Sequence, residues 1–439
     1  MRNWWAVRRP GTPSPATRND LVMTLSNGGR ALLANRAFVT LLAARTISML
    51  GMAFSPIALA FGVLALPDGD AGTLSVVLAA QMVPLVVFML LGGVVADRYP
   101  RSVVLLWGEL LSAGAWGAIG VMMLVEYTPV WLLCLAASLA GISGAAVYPA
   151  LNGIIPDLVP ATERQLGNAW LAMGSSAARL AGLVAGGAVV VWLGGGWAMI
   201  TAAAMYVLAG GLVLGLPRVV GTLADASVSP LRQLVEGWGE FSSRQWLWVV
   251  VLQWSVLIMA LQASHGVLGP VVADAELGGA AAWTTILAAE ALGAIVGVGL
   301  SMVWRPHRPI LAATLLTFTA GLPALLLGAS APLWTIAAAA FAMGIGFDLF
   351  GVWWMTTMQN EVPPESLSRV ASYDALGSLM LAPVGLLLAG PATLVFGVHA
   401  CLIAVSVVTV STTVFALAFP EVRQLRARSH EPQESVRVS

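Results

Sequence analysis

Residues 92 to 101 read Gly92-Gly93-Val94-Val95-Ala96-Asp97-Arg98-Tyr99-Pro100-Arg101. An apolar run that begins near residue 73 stops here on a carboxylate, two arginines and a proline, and a second apolar run starts at once. A chain does this at the edge of a bilayer, where about 20 apolar residues cross a hydrocarbon core about 30 Å thick and the charges remain among the headgroups. Gly93 lets two helices approach closely. Asp97, at the boundary, suits the positively polarised start of a neighbouring helix.

Outward from this turn the pattern repeats. Twelve spans are predicted, near 37–64, 73–96, 102–125, 130–154, 165–193, 195–217, 246–273, 281–303, 309–329, 332–358, 369–393 and 396–419. The 21 Lys+Arg residues are all arginine. Nineteen of them fall in the tails or in alternate connections: Arg98 and Arg101, Arg164, Arg218 to Arg244, Arg305 and Arg308, and Arg369 among them. The other connections carry Asp68, Asp70, Glu126, Asp274 and Glu276 and no arginine. Because positive residues near span ends stay in the cytoplasm, the map predicts an even number of spans with both termini cytoplasmic in a cell membrane.

Composition agrees with this reading. The chain has 439 residues, 59% hydrophobic and 10% charged, against roughly one-quarter charged in soluble domains. That leaves no room for a large soluble domain. The expected organisation is a tail (1–36), a six-span half (37–217), a cytoplasmic loop (218–245), a second six-span half (246–419) and a tail (420–439). Nothing before Met23 reads as structural, so Met23 is a second candidate start. The formal net charge of +0 argues against nucleic acid as a partner. Cys134 and Cys401 both lie in spans, and clustered Cys/His ligands are absent, so neither a disulfide framework nor a metal site is expected. No cofactor is implied. No nucleotide loop, nucleophile elbow or catalytic carboxylate pair is present, so an enzyme is not expected.

The halves also resemble each other. Val159, Pro160, Gly174, Ser175, Gly182 and Leu183 match Val362, Pro363, Gly377, Ser378, Gly385 and Leu386 at one offset of about 203 residues. Transporters of this size are often built from such parallel repeats.

With six spans in each half, the Gly93, Asp97, Arg98, Arg101 turn resembles the signature loop of the major facilitator superfamily. Pro56 to Ala60 and Trp354 to Pro363 are similar to the branch containing the enterobactin exporter and actinobacterial efflux proteins. The resemblance implies an all-α membrane fold of two pseudo-symmetric six-helix bundles, a monomer, and a latch between Asp97 and the start of span eleven near Arg369 in the outward-open state. In the second half Val303 replaces the aspartate, so the latch is one-sided. Gly182 to Gly187 is similar to the glycine-rich pattern of antiporters, with Leu183 where that pattern has proline. Tight packing explains those glycines equally well.

Ionisable residues inside spans tend to pair or to line a watery path. They are Arg45, Glu109, Arg179, Glu290, Asp348 and Asp374. At about 1.5 Å per residue, Arg179 and Glu290 both lie about 21 Å from the cytoplasmic face. The family fold implies that spans five and eight face each other, so an Arg179–Glu290 pair is expected. Asp348 lies near mid-membrane on span ten, which the same fold places on the cavity, making it a candidate proton-coupling site. Arg45 and Glu109 lie at matched depth, about 12 to 13 Å from the cytoplasmic face, where Arg45 pairs with Glu109 or instead faces the cavity. Asp374 reads as helix-start stabilisation, and His265 and His399 as residues near the outer ends of their spans.

The expected cavity wall is Gln81, Gln253, Trp254, Gln262, His265, Phe347, Phe350, Trp353 and Trp354. Few polar anchors among aromatic rings suit an amphipathic small molecule better than a sugar. The expected function is proton-coupled export by alternating access. Uptake, lipid flipping and a transport-dead sensor remain alternatives on this reading.

Overall fold

The computed structural model describes residues 32–67, 69–160, 163–217 and 238–427. The tail before residue 32, the loop from 218 to 237 and the tail after 427 lie outside the described residues. Among the described residues, twelve helices are long and apolar enough to cross a membrane. They are α1 Arg36–Leu64, α2 Ala71–Arg98, α3 Arg101–Leu124, α4 Val130–Leu158, α5 Arg164–Leu193, α6 Gly195–Val213, α7 Gln245–Leu277, α8 Ala280–Val303, α9 Pro309–Gly328, α10 Leu333–Glu361, α11 in two parts (Pro364–Leu379 and Ala382–Phe396) and α12 Val398–Ala418. A short helix, α13 Pro420–Gln424, follows.

Local chemistry sets several helix starts. The Asn35 side chain accepts from the amides of Ala37 and Phe38 at 3.0 and 3.2 Å, and its Nδ2 donates to the Leu158 carbonyl at 3.2 Å, joining the start of α1 to the end of α4. Asp70 caps α2 through the Thr73 amide at 2.7 Å, and that amide holds its carboxyl below the usual carboxylate range. Helix α11 starts at Pro364 rather than at Arg369, because Val362 is extended and a proline loses nothing in a helix's first turn. Helix α7 also runs past its expected end. It is continued to Leu277 by two π-helical turns, Ala263–Leu268 and Ala273–Leu277.

The halves repeat one pattern of neighbours. In the first, α1 packs on α5 and α6, α2 on α4, and α3 on α4 and α6; in the second, α7 packs on α11 and α12, α8 on α10, and α9 on α10 and α12. Glycine makes the closest of these contacts possible. A Cβ on Gly141 of α4 would fall on the Gln81 carbonyl oxygen of α2. The counterparts in the second half are Gly344 of α10 against the Glu290 carbonyl and Gly293 of α8 against the Phe341 carbonyl. In hydrocarbon, association rests on such packing, since lipid supplies no hydrophobic drive between helices.

Between halves, α2 packs on the Ala382–Phe396 part of α11, and α5 packs on α8. These contacts gather at the end of the bundle opposite the termini. There the Ser75 hydroxyl donates to the Leu386 carbonyl and accepts from the Gly390 amide at 3.2 Å, and Gly187 meets Thr284. One apolar core runs through both halves at this end, from Phe54, Leu74 and Met199 to Val267, Trp283 and Leu386. At the end carrying the termini each half has its own core, around Phe38 and Ile154 in one and Trp246 and Met358 in the other. The bundle is therefore joined at one end and parted at the other.

The Gly344→Ala variant is expected to lower the thermal unfolding midpoint of the purified protein, since overpacking costs about 1–3 kcal/mol. Gly351→Ala, on the same helix with open space around its Cβ, is expected to leave it unchanged or raise it. Equal effects of the two would show that the α8–α10 contact is not tight.

Candidate functional site

The parted end leads to a cluster of charged side chains where α5, α7, α8 and α10 converge. Glu290, on α8, lies beside the glycine contact with α10, and its Oε2 stands 3.3 Å from Nε2 of His265 on α7. The other ring nitrogen of His265, Nδ1, faces the Leu261 carbonyl oxygen at 3.3 Å. A carbonyl only accepts, so Nδ1 carries a proton, and the contact between Nε2 and Oε2 then needs one further proton shared between base and acid. Imidazole with carboxylic acid, or imidazolium with carboxylate, satisfies the geometry equally. Both side chains keep some accessibility, 23% for His265 and 18% for Glu290. The Trp283 ring, 6.0 Å from the imidazole, closes one side.

Asp348 lies about one helical turn from Gly344 and packs toward Gly297 of α8. Arg179 attracts its carboxylate and Glu290 repels it, so both bear on the charge of Asp348. The expected proximity of Arg179 and Glu290 to one seam is thus present, but the expected ion pair between them is not formed in this conformation. Glu290 is occupied by His265, and Arg179, exposed on α5, acts on Asp348. His265 is not near the outer end of its span, because the π-turns extend α7 and leave about 18 Å of helix beyond it. Measured from the outer ends of their helices, His265 and Glu290 lie about 18 and about 15 Å in, so depth counted from that side is the signal that could have paired them.

The other predicted residues separate into three places. On the first half, Arg45 lies within electrostatic reach of Glu109, whose carboxyl is 4% exposed and held by the Ser48 hydroxyl. Arg45 also lines a cavity of about 330 Å³ with Asn168, Ser175 and Ser176, between α1, α4 and α5. Pairing with Glu109 and facing a cavity are therefore compatible. Gln81 is half-buried, with its backbone against α4.

On the second half, Trp254 stacks with Phe350 at 4.4 Å and Phe347 at 5.4 Å, while Gln262 is half-buried higher on α7. Gln253 is not in the cavity wall. It is fully buried inside the half, and its Nε2 donates to Thr317 at 2.9 Å and to Thr413 at 3.4 Å. Trp353 is turned toward α9, edge-on to Trp304 at 5.0 Å. Asp374 is no helix-start residue, since α11 begins ten positions earlier; it accepts from the Trp354 indole at 3.1 Å.

Third, Gly93, Asp97 and Arg98 occupy the last turns of α2, and the side chains from 90 to 98 lie outside the described ones. Arg101 opens α3. The glycines of the Gly182 to Gly187 stretch serve packing: Gly182 meets Leu50 and Ala53 of α1, Gly186 meets Phe54, and Gly187 meets Thr284 of α8. A cavity of about 400 Å³ between α7, α11 and α12 is walled by apolar side chains such as Met259, Leu388, Phe396 and Val408, so it offers no group for proton exchange.

Comparison with known proteins agrees with this architecture. The family model described as Major Facilitator Superfamily matches residues 36–378. Multidrug efflux pump Tap of Mycobacterium tuberculosis is 26% identical over 423 residues, covering 92% of this chain and 96% of that protein. Macrolide efflux protein A of Streptococcus pyogenes is 23% identical over 361 residues, covering 80% and 88%. Among solved structures, the nucleoside transporter NupG superposes with a TM-score of 0.67 at 13% identity, over 87% of this chain and 98% of that one. A POT family transporter bound to 5-aminolevulinic acid gives 0.69 at 14%, over 88% and 97%. These two share the fold. With twelve spans in two repeated halves and a family match over most of its length, the chain belongs to the Major Facilitator Superfamily.

Proposed function

We propose that the protein is a proton-coupled exporter of amphipathic small molecules, working by alternating access in the cytoplasmic membrane with both termini in the cytoplasm. The observation that carries this reading is the His265–Glu290 pair, which needs a shared proton, set beside Asp348 at the seam of the two halves. Its place matters as much as its chemistry. When the halves rock, α5 moves against α8, so Arg179 changes its distance to Asp348 and Glu290 and alters which of them holds a proton. Proton release and the change of access are then one event.

The arginine map sets the orientation. With the arginine-bearing end in the cytoplasm, the parted end faces inward and Ser75, Leu386 and Gly390 form the closed outer gate. The aromatic wall of Trp254, Phe347 and Phe350 suits an apolar body, and the carboxylates suit a basic group on it. The named activities of the efflux relatives point the same way for direction and substrate class.

In proteoliposomes, Glu290→Gln and Asp348→Asn are expected to lose uphill transport driven by a pH gradient while keeping substrate exchange without one. Uphill transport with an unchanged pH dependence in both would remove these residues from coupling, and substrate moving inward in oriented vesicles would identify uptake. For the gate, a Ser75→Cys, Gly390→Cys double variant with Cys134 and Cys401 replaced by Ser is expected to cross-link on oxidation, stop transport, and recover on reduction. Full transport by the cross-linked protein would rule out opening at that end.

A further inference from the structure

At the end of the bundle carrying the termini, a cavity of about 630 Å³ lies between the close of α8, the start of α9, the close of α10 and the segment after α13. The transport reading above makes no use of it. Its basic groups are Arg305, from the short connection between α8 and α9, and Arg426, brought over by the chain beyond α13. The Ala427 amide fixes that segment by donating to the His307 carbonyl at 2.9 Å. Among the described residues neither guanidinium forms an ion pair or hydrogen bond. Glu361, the carboxylate of the wall, is already engaged with a partner.

A second observation points to a missing acceptor. Trp353 lines the same cavity, is 5% exposed, and has an indole N–H with no hydrogen-bond partner. Buried donors are nearly always satisfied, so an orphan beside two unpaired cations marks a place for an anionic oxygen. Asn360 adds a neutral amide donor to the wall, while the Ser301 and Thr356 hydroxyls donate to the Val298 and Val352 carbonyls of their own helices. The rim is apolar and outward-facing: Met302 is 72% exposed and Trp304 48% exposed, at the level where α8 leaves the hydrocarbon. Trp at that level is an interfacial anchor. Cationic floor and apolar rim together fit a ligand with a charged head and hydrocarbon tails.

We propose that this cavity binds the phosphate of an anionic phospholipid, with Arg305 and Arg426 on the phosphate oxygens and the acyl chains running up past Met302 and Trp304. Basic pockets between helices at the cytoplasmic boundary recognise such headgroups. Because the site joins the ends of α8 and α10 to the C-terminal segment, an occupied site ties together the helices that hold Glu290 and Asp348.

The test uses the full-length protein in neutral detergent. Retention of phosphatidylglycerol is read by native mass spectrometry and its effect on the unfolding midpoint by thermal melt, with phosphatidylcholine and inorganic phosphate as parallel arms. Phosphatidylglycerol is expected to be retained and to raise the midpoint, and the other two are not. Removing either arginine, by Arg305→Gln or Arg426→Gln, is expected to weaken retention about tenfold. Arg308→Gln serves as the charge control, since Arg308 lies in the same connection with its Nη1 3.5 Å from the Arg423 carbonyl and outside the cavity wall. Undiminished retention in the Arg305→Gln, Arg426→Gln double variant, equal loss in the Arg308 control, or equal stabilisation by inorganic phosphate would each overturn the proposal. Trp353→Phe, which removes the N–H together with part of a buried ring system, is expected to weaken retention and also to lower the midpoint of the lipid-free protein.

Discussion

Backbone meets backbone between α8 and α10, and the site depends on it. Gly293 and Gly344 bring the two helices so close that no side chain separates Phe341 from α8 or Glu290 from α10. The contact fixes where Glu290 stands along the seam, and it sets Asp348, one turn further along α10, on the same interface. With side chains between the helices, these carboxyl groups would lie on separate surfaces, too far apart to act on one another. Close packing is also the only attraction that lipid does not dilute, so one contact supplies both stability and geometry.

The conformation follows from how the apolar cores are shared. A single core crosses both halves at the end opposite the termini, whereas each half keeps a private core at the other end. The rocking proposed above would therefore need only the shared core to part, the private ones moving as rigid pieces. Small residues make that parting inexpensive. Gly390 against Gly72 and Gly187 against Thr284 are contacts of few atoms, and the polar part of the gate is one hydroxyl, Ser75, with two backbone partners.

Most of the architecture was legible because bilayer physics writes it in large letters. The spans follow from apolar length, and the neighbouring of α5 and α8 from the family resemblance. Individual partners were not legible, for particular reasons. His265 looked like an end-of-span residue because π-helical turns carry α7 beyond the point where its composition turns polar, at Asp274 and Glu276. Gln253 looked like a cavity residue because a polar side chain on a span reads the same whether it faces a cleft or a buried cluster of Thr317 and Thr413. Asp374 looks like a helix start because span eleven reads from Arg369, whereas the helix begins at Pro364, proline being at home in a helix's first turn.

Two charged clusters lie in the membrane, and their places divide the roles between the halves. Arg45, Glu109 and Ser48 belong to α1 and α3, inside the first half, where rocking changes none of their distances. Such a cluster can fix the half's shape or present Arg45 to the small cavity beside Asn168, but it cannot sense which way the transporter faces. Arg179, Glu290, His265 and Asp348 belong to both halves, and their mutual charges change whenever α5 slides on α8. A group that couples protons to access must feel the relative position of the halves. On the proton-coupled reading proposed above, that requirement selects the cluster at the seam and leaves Glu109, though deeply buried, as part of the frame.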